Sequence, residues 1–363
     1  MGRGEELRQA YAESLCRDGA ITRPEVAAAF AAVPREAFVV DGFHRREGGR
    51  VDAGEEGFLD AVYTNDVLVT KIVDGTPVSS SSQPSLMAVM IETLDLAPGM
   101  SVLEIGAGTG YNAALMAAVG ARVTSIDVQP DVLARARAAL TRAGVSGVEV
   151  HEADGYHGHP GSYDRIVVTV GITGVSPQWL EQLASGGFVL APVAHVGAHP
   201  VLRVAPRPGG AVTAEGVCPA GFMTAAGPLA AAYPWMHPAA PSPLPDPVVT
   251  RPARFDPPLG FLRYYDLAFA LGAWDRRATL AQLEDGAVCV LLDETGTSGA
   301  VVAHDGAVRA FGPAAAERAD HATVLLDRWM ADGAPTIAAW TATMALTGAP
   351  THPIWVPHHW HPR

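Results

Sequence analysis

The sequence predicts an α/β protein built on a doubly wound, Rossmann-like parallel sheet, with a small α+β domain towards its C-terminal end. Strand-like and helix-like segments alternate from residue 101, and a glycine-rich turn joins the first such strand to its helix. Eight prolines within residues 238–258 indicate a semi-rigid linker before the last region. The predicted segments are a helical and β cap (residues 1–75), the core (76–230), the linker (231–258) and the accessory domain (259–363).

The N-terminal cap contains two helical patterns followed by a strand-like stretch. The second helix is predicted to have Thr22 as its N-cap and Pro24 in its first turn, and to run to about residue 32. VPREAFV, residues 33–39, comes next, and residues 62–75 alternate as a strand that ends in a turn. The cap therefore mixes helix and strand before the core begins.

Four consecutive serines, Ser79 to Ser82, have the composition of a flexible linker. An apolar run with helical spacing follows Pro84, however, which a linker does not require. Because the residue before a proline is biased away from helix, we expect Gln83 to be extended and a helix to open behind Pro84. The serines are therefore predicted to form an extended strip rather than a hinge.

The core and the accessory domain are predicted from hydrophobic periodicity and turn residues. The core strands are SVLEIG, ARVTSID, VEVHEADG, YDRIVVTVG and GGFVLAPV, and the core helices are YNAALMAAVG, PDVLARARAALTRAG and SPQWLEQLA. In the accessory domain, AVCVLLDE, GAVVAHDG and AVRAFG predict an antiparallel meander, and DHATVLLDRWMADG predicts an amphipathic helix. Strands that alternate with helices of this length form βαβ units and a parallel sheet.

Composition excludes several classes of partner and compartment. The formal net charge is −13 and no run of Lys or Arg stands out, so nucleic acid is disfavoured as a partner. No apolar stretch approaches the ~18 residues of a membrane helix, and the N-terminal residues lack an apolar secretion segment. Cys16, Cys218 and Cys289 lie too far apart for a disulfide framework or a zinc site. The sequence therefore predicts a cytoplasmic protein that does not bind membranes.

The strongest local signal is VLEIGAGTGYN, in which a strand delivers Gly106, Gly108 and Gly110 to the start of a helix. Glycines there let the backbone turn tightly and approach a ligand. A nicotinamide fingerprint would need its third glycine one position later, and a phosphate-binding loop would end in Gly-Lys-Ser/Thr. Glu104 suits a cationic or amine-bearing ligand better than a pyrophosphate. A turn without a ligand is the alternative interpretation.

Two acidic residues follow at the ends of the next strands. Asp127 is placed to accept both hydroxyls of a ribose, although it could instead cap the helix that opens at Pro130. Asp154 could accept from an exocyclic amine, with Tyr156 as an aromatic wall, or could simply form a turn. Three ligand contacts at three strand ends predict an adenosine with a short charged tail, which is S-adenosylmethionine.

These motifs, together with YDRIVVTVG and LEQLASGGFVLAPV, resemble a class I S-adenosylmethionine-dependent methyltransferase. VPREAFV and SSSSQPSLMAVMIETL narrow the resemblance to the protein L-isoaspartyl O-methyltransferase family, over roughly residues 20–225. The resemblance implies that Ser82 is catalytic, because it maps onto the serine of the family's Ser-x-Pro segment, and Ser80 is predicted to assist it. The donor-binding positions that it implies are Ser79, Ser81, Glu104, Gly106, Ala107, Gly108, Asp127, Val128, Asp154 and Gly155.

The resemblance also implies which part of the donor each of these residues would contact. Glu104, Gly106 and Gly108 would hold the methionine part of the donor, Asp127 the ribose, and Asp154 with Gly155 the adenine. No metal is expected. The acceptor would be a carboxylate, which is already ionised at pH ~7 and needs no general base. Hydroxyls from Ser80 and Ser82 could hold one carboxylate oxygen while the other attacks the methyl group.

The chain departs from the family mostly on the substrate side. Met87 stands where the family often has a histidine, and residues 169–174 replace its Ala-Pro-rich loop. GFMTAAGPL is a poor match to its closing segment, and repair enzymes are expected to stop near Pro228. Such extended forms resemble tailoring methyltransferases of ribosomal peptides, of the lanthipeptide and graspetide type. Methylation of an aspartate in a modified precursor peptide, followed by collapse to succinimide, is the first prediction; isoaspartate repair is the alternative.

Other interpretations remain open at this point. His151, His157 and His159 with Asp154, or the histidines of the final THPIWVPHHWHPR, could bind a metal, but neither set has a complete ligand pattern. A non-catalytic module that binds donor or peptide would be expected to have lost its glycines or acidic strand ends. A small-molecule O-methyltransferase would need a base that the sequence does not offer near TVGITG. Monomer and homodimer are both compatible with the sequence.

Overall fold

The computed structural model describes residues 2–283 and 286–363. The chain forms two compact units, each made of several chain segments. The first unit comprises the residues up to 170 together with 176–191 and 222–225, and the second comprises 171–175, 192–221 and the residues from 226 onwards.

The first unit holds the predicted core and its cap. Its helices are α1 (Arg3–Arg17), α2 (Pro24–Ala32), α3 (Phe58–Val62), α4 (Pro84–Leu94), α5 (Tyr111–Ala118), α6 (Pro130–Arg142) and α7 (Pro177–Glu181), with a 3-10 turn at Arg35–Phe38. Its strands are β1 (Phe43–His44), β2 (Arg50–Val51), β3 (Leu68–Val73), β4 (Thr76–Ser81), β5 (Ser101–Ile105), β6 (Arg122–Asp127), β7 (Val148–Glu152), β8 (Tyr163–Val168) and β9 (Leu183–Pro192).

The core of this unit is a parallel sheet in the order β9-β8-β5-β6-β7. The chain proceeds from β5 outwards through β6 and β7, then returns to β8 on the other side of β5, so the strand order reverses there. A ligand binds at the carboxyl ends of the strands beside such a reversal in open α/β sheets. The central strand is apolar and fully buried at Val102 and Leu103, as a sheet covered on both faces requires. The predicted doubly wound α/β fold is confirmed.

A second, antiparallel sheet in the order β2-β1-β3-β4 carries Ser79, Ser80 and Ser81 on its edge strand, and Ser82 directly follows that strand. β4 pairs with β3 so that Leu68 faces Ser81 and Val69 faces Ser80. Gln83 has extended backbone angles, φ −60° and ψ 128°, and α4 begins at Pro84. The prediction of an extended strip followed by a helix is confirmed, and the linker interpretation is wrong.

The second unit contains two antiparallel sheets and two long helices. Its strands are β10 (Val201–Pro206), β11 (Val212–Cys218), β12 (Val249–Arg251), β13 (Ala278–Leu283), β14 (Gly286–Leu292), β15 (Gly299–Val302), β16 (Val308–Phe311), β17 (Trp340–Ala349) and β18 (His352–Pro362). Its helices are α8 (Phe261–Trp274) and α9 (Ala315–Ala331), with short 3-10 turns at Gly227–Ala230 and Ile337–Ala339. The strand orders are β12-β16-β15-β14-β13 and β18-β17-β11-β10. The predicted meander and the predicted helix near residue 320 are both present.

Several sequence predictions differ from the structure. Thr22 does not cap α2; its hydroxyl donates 2.7 Å to the Glu92 carboxylate, and Arg23 occupies the N-cap position without a side-chain bond. The stretch 62–75 begins in α3, and only its second half is a strand. α8 and the β17–β18 hairpin were not predicted. The histidine- and tryptophan-rich final segment is strand β18.

The predicted boundary at residue 230 also differs from the structure. β10 and β11 fall before that boundary, yet β11 pairs with β17, more than 120 residues further along the chain. Across the part of the chain that is described, no helix is both long and apolar enough to cross a bilayer.

Candidate active site

The glycine loop between β5 and α5 forms the floor of the candidate site. Gly106, Gly108 and Gly110 all have positive φ, at 100°, 51° and 83°. A Cβ at Gly106 would lie only 2.5 Å from the Thr169 hydroxyl oxygen, and one at Gly108 would lie 3.3 Å from the Ser80 carbonyl oxygen. The backbone of the loop is therefore wedged between the end of β8 and the serine strand, where only glycine fits.

Glu104 lies at the end of β5 and is completely buried. The Asn112 amide donates to one carboxylate oxygen at 2.8 Å, and the Ser125 hydroxyl donates to the other at 2.5 Å. No cation pairs with Glu104 among the residues that the structure describes. Burial raises the pKa of the carboxyl group to about 7, since the two hydrogen bonds only partly offset desolvation. Such a carboxylate favours a ligand that carries a positive charge.

The raised pKa of Glu104 predicts a pH-dependent stability. The folded carboxyl group holds its proton up to about pH 7, whereas the pKa of a glutamate in the unfolded chain is 4.5. Its favourable contribution is therefore fully present below pH 4.5 and is lost as the pH rises through 7, at a cost of about 3 kcal/mol. Glu104→Gln should raise the thermal midpoint of the ligand-free protein at pH 8.5 and leave it nearly unchanged at pH 5.5, measured by calorimetry.

The exposed Glu149 on β7 provides the control for this prediction. Glu149→Gln removes one carboxylate from the same sheet without removing a buried charge, so the midpoint should not move at either pH. A shift of equal size at both pH values for Glu104→Gln would contradict the assignment, because a packing effect does not depend on ionisation.

Asp127 connects the end of β6 to the glycine loop. Its carboxylate accepts from the Gly108 amide at 3.2 Å and from the Gln129 amide at 3.1 Å. Burial raises its pKa, which these amide bonds and Lys71 oppose. Val128 is about half exposed and directly follows it. The structure thus brings Asp127 and Gly108 into direct contact, while each carboxylate oxygen retains a further lone pair for a ligand.

Lys71 and Gln129 hold the β3–β4 hairpin against the end of β6. The Lys71 ammonium group donates to the Gln129 side chain at 2.9 Å and to Asp131 at 2.8 Å. The Gln129 amide in turn donates to the Val78 carbonyl oxygen at 3.2 Å. Lys71 is the only lysine in the sequence, and these bonds fix the serine strand beside the loop.

Asp154 lies one strand further out and makes a local turn. Its carboxylate accepts from the Tyr156 amide at 2.9 Å and is exposed. The Gly155 carbonyl oxygen accepts from the Trp179 indole at 2.8 Å, which anchors the turn to α7. The Tyr156 side chain is buried. Asp154 is near Asp127 along the sheet edge, because β6 and β7 pair up to Asp127 and Glu152.

Ser79, Ser80 and Ser81 lie at the end of β4 and Ser82 directly follows it, and the four side chains alternate between buried and half-buried. The Ser79 and Ser81 side chains are buried, and their hydroxyls contact the Thr70 hydroxyl at 3.3 Å and the Arg35 guanidinium at 3.4 Å. Ser80 and Ser82 are half-buried, and neither hydroxyl has a hydrogen-bond partner within the described part of the chain. The two predicted catalytic hydroxyls are thus the two that remain available to a ligand.

Arg35, from VPREAFV, is a residue of this site that sequence reasoning did not single out. It is completely buried, and its side chain reaches both the serine strand and the segment that follows α3. The available signal was an arginine, followed by Glu36, inside a short segment whose other residues are apolar. The sequence alone could not say which carbonyl groups it would bind.

The histidines next to Asp154 do not assemble a metal site. His151 and His159 stack with their ring centres 4.5 Å apart, and His157 points to the Gln178 side chain instead. Within residues 2–283 and 286–363 no three His, Cys, Asp or Glu side chains converge closely enough to hold a metal ion.

Comparison with known proteins identifies the region that contains this site. The family model described as "Protein-L-isoaspartate(D-aspartate) O-methyltransferase (PCMT)" matches residues 6–228, more than half of the chain. A protein-L-isoaspartate O-methyltransferase of Thermotoga maritima is 39% identical over 173 residues, which cover 46% of this chain and 50% of the relative. One from Methanoculleus marisnigri is 42% identical over 141 residues, covering 38% and 64%. The matched region thus spans between half and two thirds of these two relatives.

Two further similarities extend this picture. A Pyrococcus horikoshii protein of the same name is 36% identical over 188 residues, covering 50% of this chain and 74% of the relative. A solved structure titled protein-L-isoaspartate O-methyltransferase aligns with 96% of this chain and 99% of its own length, at a TM-score of 0.54 and 24% identity. That alignment includes the second unit, so the expectation that repair enzymes stop near Pro228 does not hold for every protein of this name.

Proposed function

The chain belongs to the protein-L-isoaspartate(D-aspartate) O-methyltransferase family, and we propose that it transfers a methyl group from S-adenosylmethionine to an isoaspartyl or aspartyl carboxylate of a peptide or protein. The observation that carries this proposal is the pair of unpartnered hydroxyls of Ser80, on β4, and Ser82, directly after it. They lie beside a glycine loop that is bordered by the buried Glu104 and the half-buried Asp127. The names of the relatives support the same reaction.

The residues of the glycine loop fit the methyl donor by their chemistry. The buried Glu104 carboxylate, which has no cationic partner in the described structure, suits the ammonium group of the donor's methionine part. Gly106, Ala107 and Gly108 offer a backbone surface without side chains that would obstruct a ligand, and Asp127 offers carboxylate lone pairs to the ribose. Val128, Asp154 and Gly155 would flank the adenine. When bound, S-adenosylmethionine supplies an electrophilic methyl group and a neutral thioether as the leaving group.

The serine strand would orient the acceptor. A carboxylate with a pKa near 4 is ionised at neutral pH, so the site does not need a base to generate the nucleophile. The Ser80 and Ser82 hydroxyls can donate to one carboxylate oxygen and leave the other free to form the new carbon–oxygen bond. Ser79 and Ser81 hold the strand rather than the acceptor, because their hydroxyls contact Thr70 and Arg35.

The fate of the ester follows from the acceptor. The backbone nitrogen of the next residue attacks the methyl ester, methanol leaves, and a succinimide forms. Water then opens the ring to aspartate or isoaspartate. Isoaspartyl acceptors are the first proposal because the family and its curated relatives carry that name. Tailoring of an aspartate in a modified precursor peptide is the second, supported by the departures at Met87 and residues 169–174.

A panel of matched peptides distinguishes these acceptors. We expect a hexapeptide with one isoaspartyl residue to be methylated at least a hundredfold faster, in kcat/KM, than its aspartyl isomer, measured by mass spectrometry and methanol release. The carboxamide version of the peptide is the control and should accept no methyl group. Preference for a cyclised aspartyl peptide over the isoaspartyl one would favour tailoring. Transfer to none of these carboxylates, with normal binding of S-adenosylhomocysteine, would point to a non-catalytic module.

A further inference from the structure

Arg35 is a buried cation whose hydrogen bonds are all made to neutral groups. It begins the 3-10 turn that follows Pro34, and its side chain is inaccessible to solvent. The guanidinium Nη1 and Nη2 atoms donate to main-chain carbonyl oxygens of Val62 (2.9 Å), Thr64 (3.0 Å), Asp66 (2.9 Å) and Ser82 (3.1 Å), and Nε lies 3.4 Å from the Ser81 hydroxyl. Five donors thus meet five acceptors, which exhausts the capacity of the side chain.

No carboxylate neutralises this charge within the described residues. The neighbouring Glu36 accepts from the Tyr63 hydroxyl and lies 3.9 Å from Arg8, so it is already engaged. The side chain of Asp66 faces Arg46 and its own following amide, and only its main-chain oxygen reaches Arg35. A buried charge held by dipoles alone leaves a net positive potential around it.

The positive potential of Arg35 acts at Ser82, the residue that we propose binds the acceptor. The Ser82 carbonyl oxygen contacts Arg35 directly, while the Ser82 hydroxyl has no partner within the described residues. Because every N–H group of Arg35 is occupied, the guanidinium cannot donate to an incoming carboxylate and so cannot weaken its nucleophilic oxygen by a direct bond. A cation behind the serine attracts the carboxylate and leaves the contact itself to a neutral hydroxyl.

We propose that Arg35 is a positioning residue that fixes Ser82 and whose uncompensated charge makes the acceptor site selective for a carboxylate over a neutral group of the same shape. The proposal rests on the proposed function, since it assumes that Ser82 faces the acceptor. The proposal separates two contributions of Arg35. Its five hydrogen bonds fix the position of the serine segment, and its charge gives the acceptor site its preference for an anion.

The test measures binding of two labelled peptides in the presence of S-adenosylhomocysteine. One is a fluorescent isoaspartyl hexapeptide, and the other carries a carboxamide in place of its reactive carboxylate. The native protein should bind the carboxylate peptide at least tenfold more tightly. Arg35→Lys keeps the charge but cannot reproduce the five bonds, so it should retain that ratio within threefold while kcat falls at least tenfold. Arg35→Gln removes the charge, so the ratio should fall below threefold.

Arg8→Gln is the matched control, because Arg8 is also largely buried and donates to a main-chain carbonyl, of Ala31, but makes no bond to the serine segment within the described residues. It should leave both the ratio and kcat within threefold of the native values. Three results would overturn the proposal: a native protein that binds both peptides equally or neither, an Arg35→Lys variant that loses the preference, or an Arg35→Gln variant that binds S-adenosylhomocysteine normally and keeps it. The first two results do not depend on the folding of Arg35→Gln.

The outcome is separable from the proposed function. A native protein that prefers the carboxylate peptide but methylates no acceptor would remove the proposed reaction, while the binding ratios of Arg35→Lys and Arg35→Gln would still test the charge effect of Arg35. Methylation by a native protein that binds both peptides equally would support the proposed reaction and overturn the proposed role of Arg35.

Discussion

Ser82→Ala should lower kcat for carboxyl methylation by ten- to a hundredfold and leave the dissociation constant of S-adenosylhomocysteine within about twofold. A hydrogen bond from a neutral hydroxyl to a carboxylate contributes about 1.5–3 kcal/mol, which corresponds to that range of rates if the bond tightens in the transition state. The substitution should cost the fold little, because the Ser82 hydroxyl has no partner in the described structure and its carbonyl oxygen still accepts from Arg35.

Two further variants test this prediction, one as a control and one as a double substitution. Ser85→Ala removes another hydroxyl from the same stretch, at the start of α4, and only the Ser85 backbone amide is engaged, by Asn65. Its kcat should match the native value. Ser80→Ala together with Ser82→Ala should lose more than Ser82→Ala alone, since both residues are half-buried and neither hydroxyl has a partner within the described residues. Stopped-flow or mass-spectrometric single turnovers measure the rate, and calorimetry measures the donor-site affinity. Equal loss of rate and of donor-site affinity in Ser82→Ala would contradict the role.

Ser81 offers the opposite case within the same strand. Its hydroxyl is buried against the Arg35 guanidinium, so its removal leaves one buried donor without a partner. The loss should then appear in stability as well as in rate. The contrast between the buried Ser81 and the half-buried Ser82 arises from their backbone placement, which the composition of the tetraserine run does not reveal.

Local rules explain why the serine segment could be predicted from sequence. Pro84 restricts Gln83 and can open a helix, and the apolar spacing behind it specifies which face of α4 is buried. Likewise, the three glycines and the acidic strand end at Asp127 follow from short-range requirements of a β-turn-α connection. Each of these features depends on residues that are close to one another in the sequence.

Features that depend on distant partners were missed. Arg35 donates hydrogen bonds to carbonyl groups that lie 27 to 47 residues further along the chain, and no sequence periodicity predicts these partners. The Thr22 hydroxyl binds Glu92 instead of capping its own helix, because a carboxylate 70 residues on is the stronger acceptor. A tertiary partner thus overrides the local capping preference at Thr22, and tertiary partners alone define the role of Arg35.

The same reasoning applies to the boundary predicted at residue 230. β11 lies before it, but its pairing partner β17 lies near residue 341, so the proline-rich stretch does not separate independent pairing networks. Removing everything after residue 240 would leave β11 without that partner and expose a row of backbone groups. Tests of acceptor choice are therefore better made on the full chain than on a truncated core.

The second unit also bears on repair and tailoring as alternatives. Its presence was the main reason to separate this chain from repair enzymes, but a solved structure titled protein-L-isoaspartate O-methyltransferase aligns with nearly all of both chains. At 24% identity this alignment concerns the fold alone, and the fold no longer distinguishes the two proposals. The distinction rests on Met87 and residues 169–174, and therefore on the acceptor panel.

Gly106→Ala should weaken binding of S-adenosylhomocysteine by at least a hundredfold and destabilise the protein by several kcal/mol. The substituted residue would have φ near 100°, and its Cβ would lie 2.5 Å from the Thr169 hydroxyl oxygen. A non-glycine residue in such a conformation costs about 1–2 kcal/mol by itself, and the clash adds to this. Thr169 cannot simply rotate away, because its hydroxyl donates to the Gly106 carbonyl oxygen at 2.6 Å. The loop that meets the donor must therefore move.

Gly144→Ala separates the strain from the clash. Gly144 also has positive φ, at 65°, but a Cβ there would meet no atom within 4 Å. It should lose about 1 kcal/mol of stability and no affinity. Gly106→Ala combined with Thr169→Ala removes the nearest clashing atom, so it should recover part of the affinity while the backbone strain and a 3.2 Å approach to Val170 remain. Calorimetric titration and thermal unfolding measure both quantities. Native affinity in Gly106→Ala would mean that the donor does not contact this loop, because a loop displaced by the clash could not preserve the site.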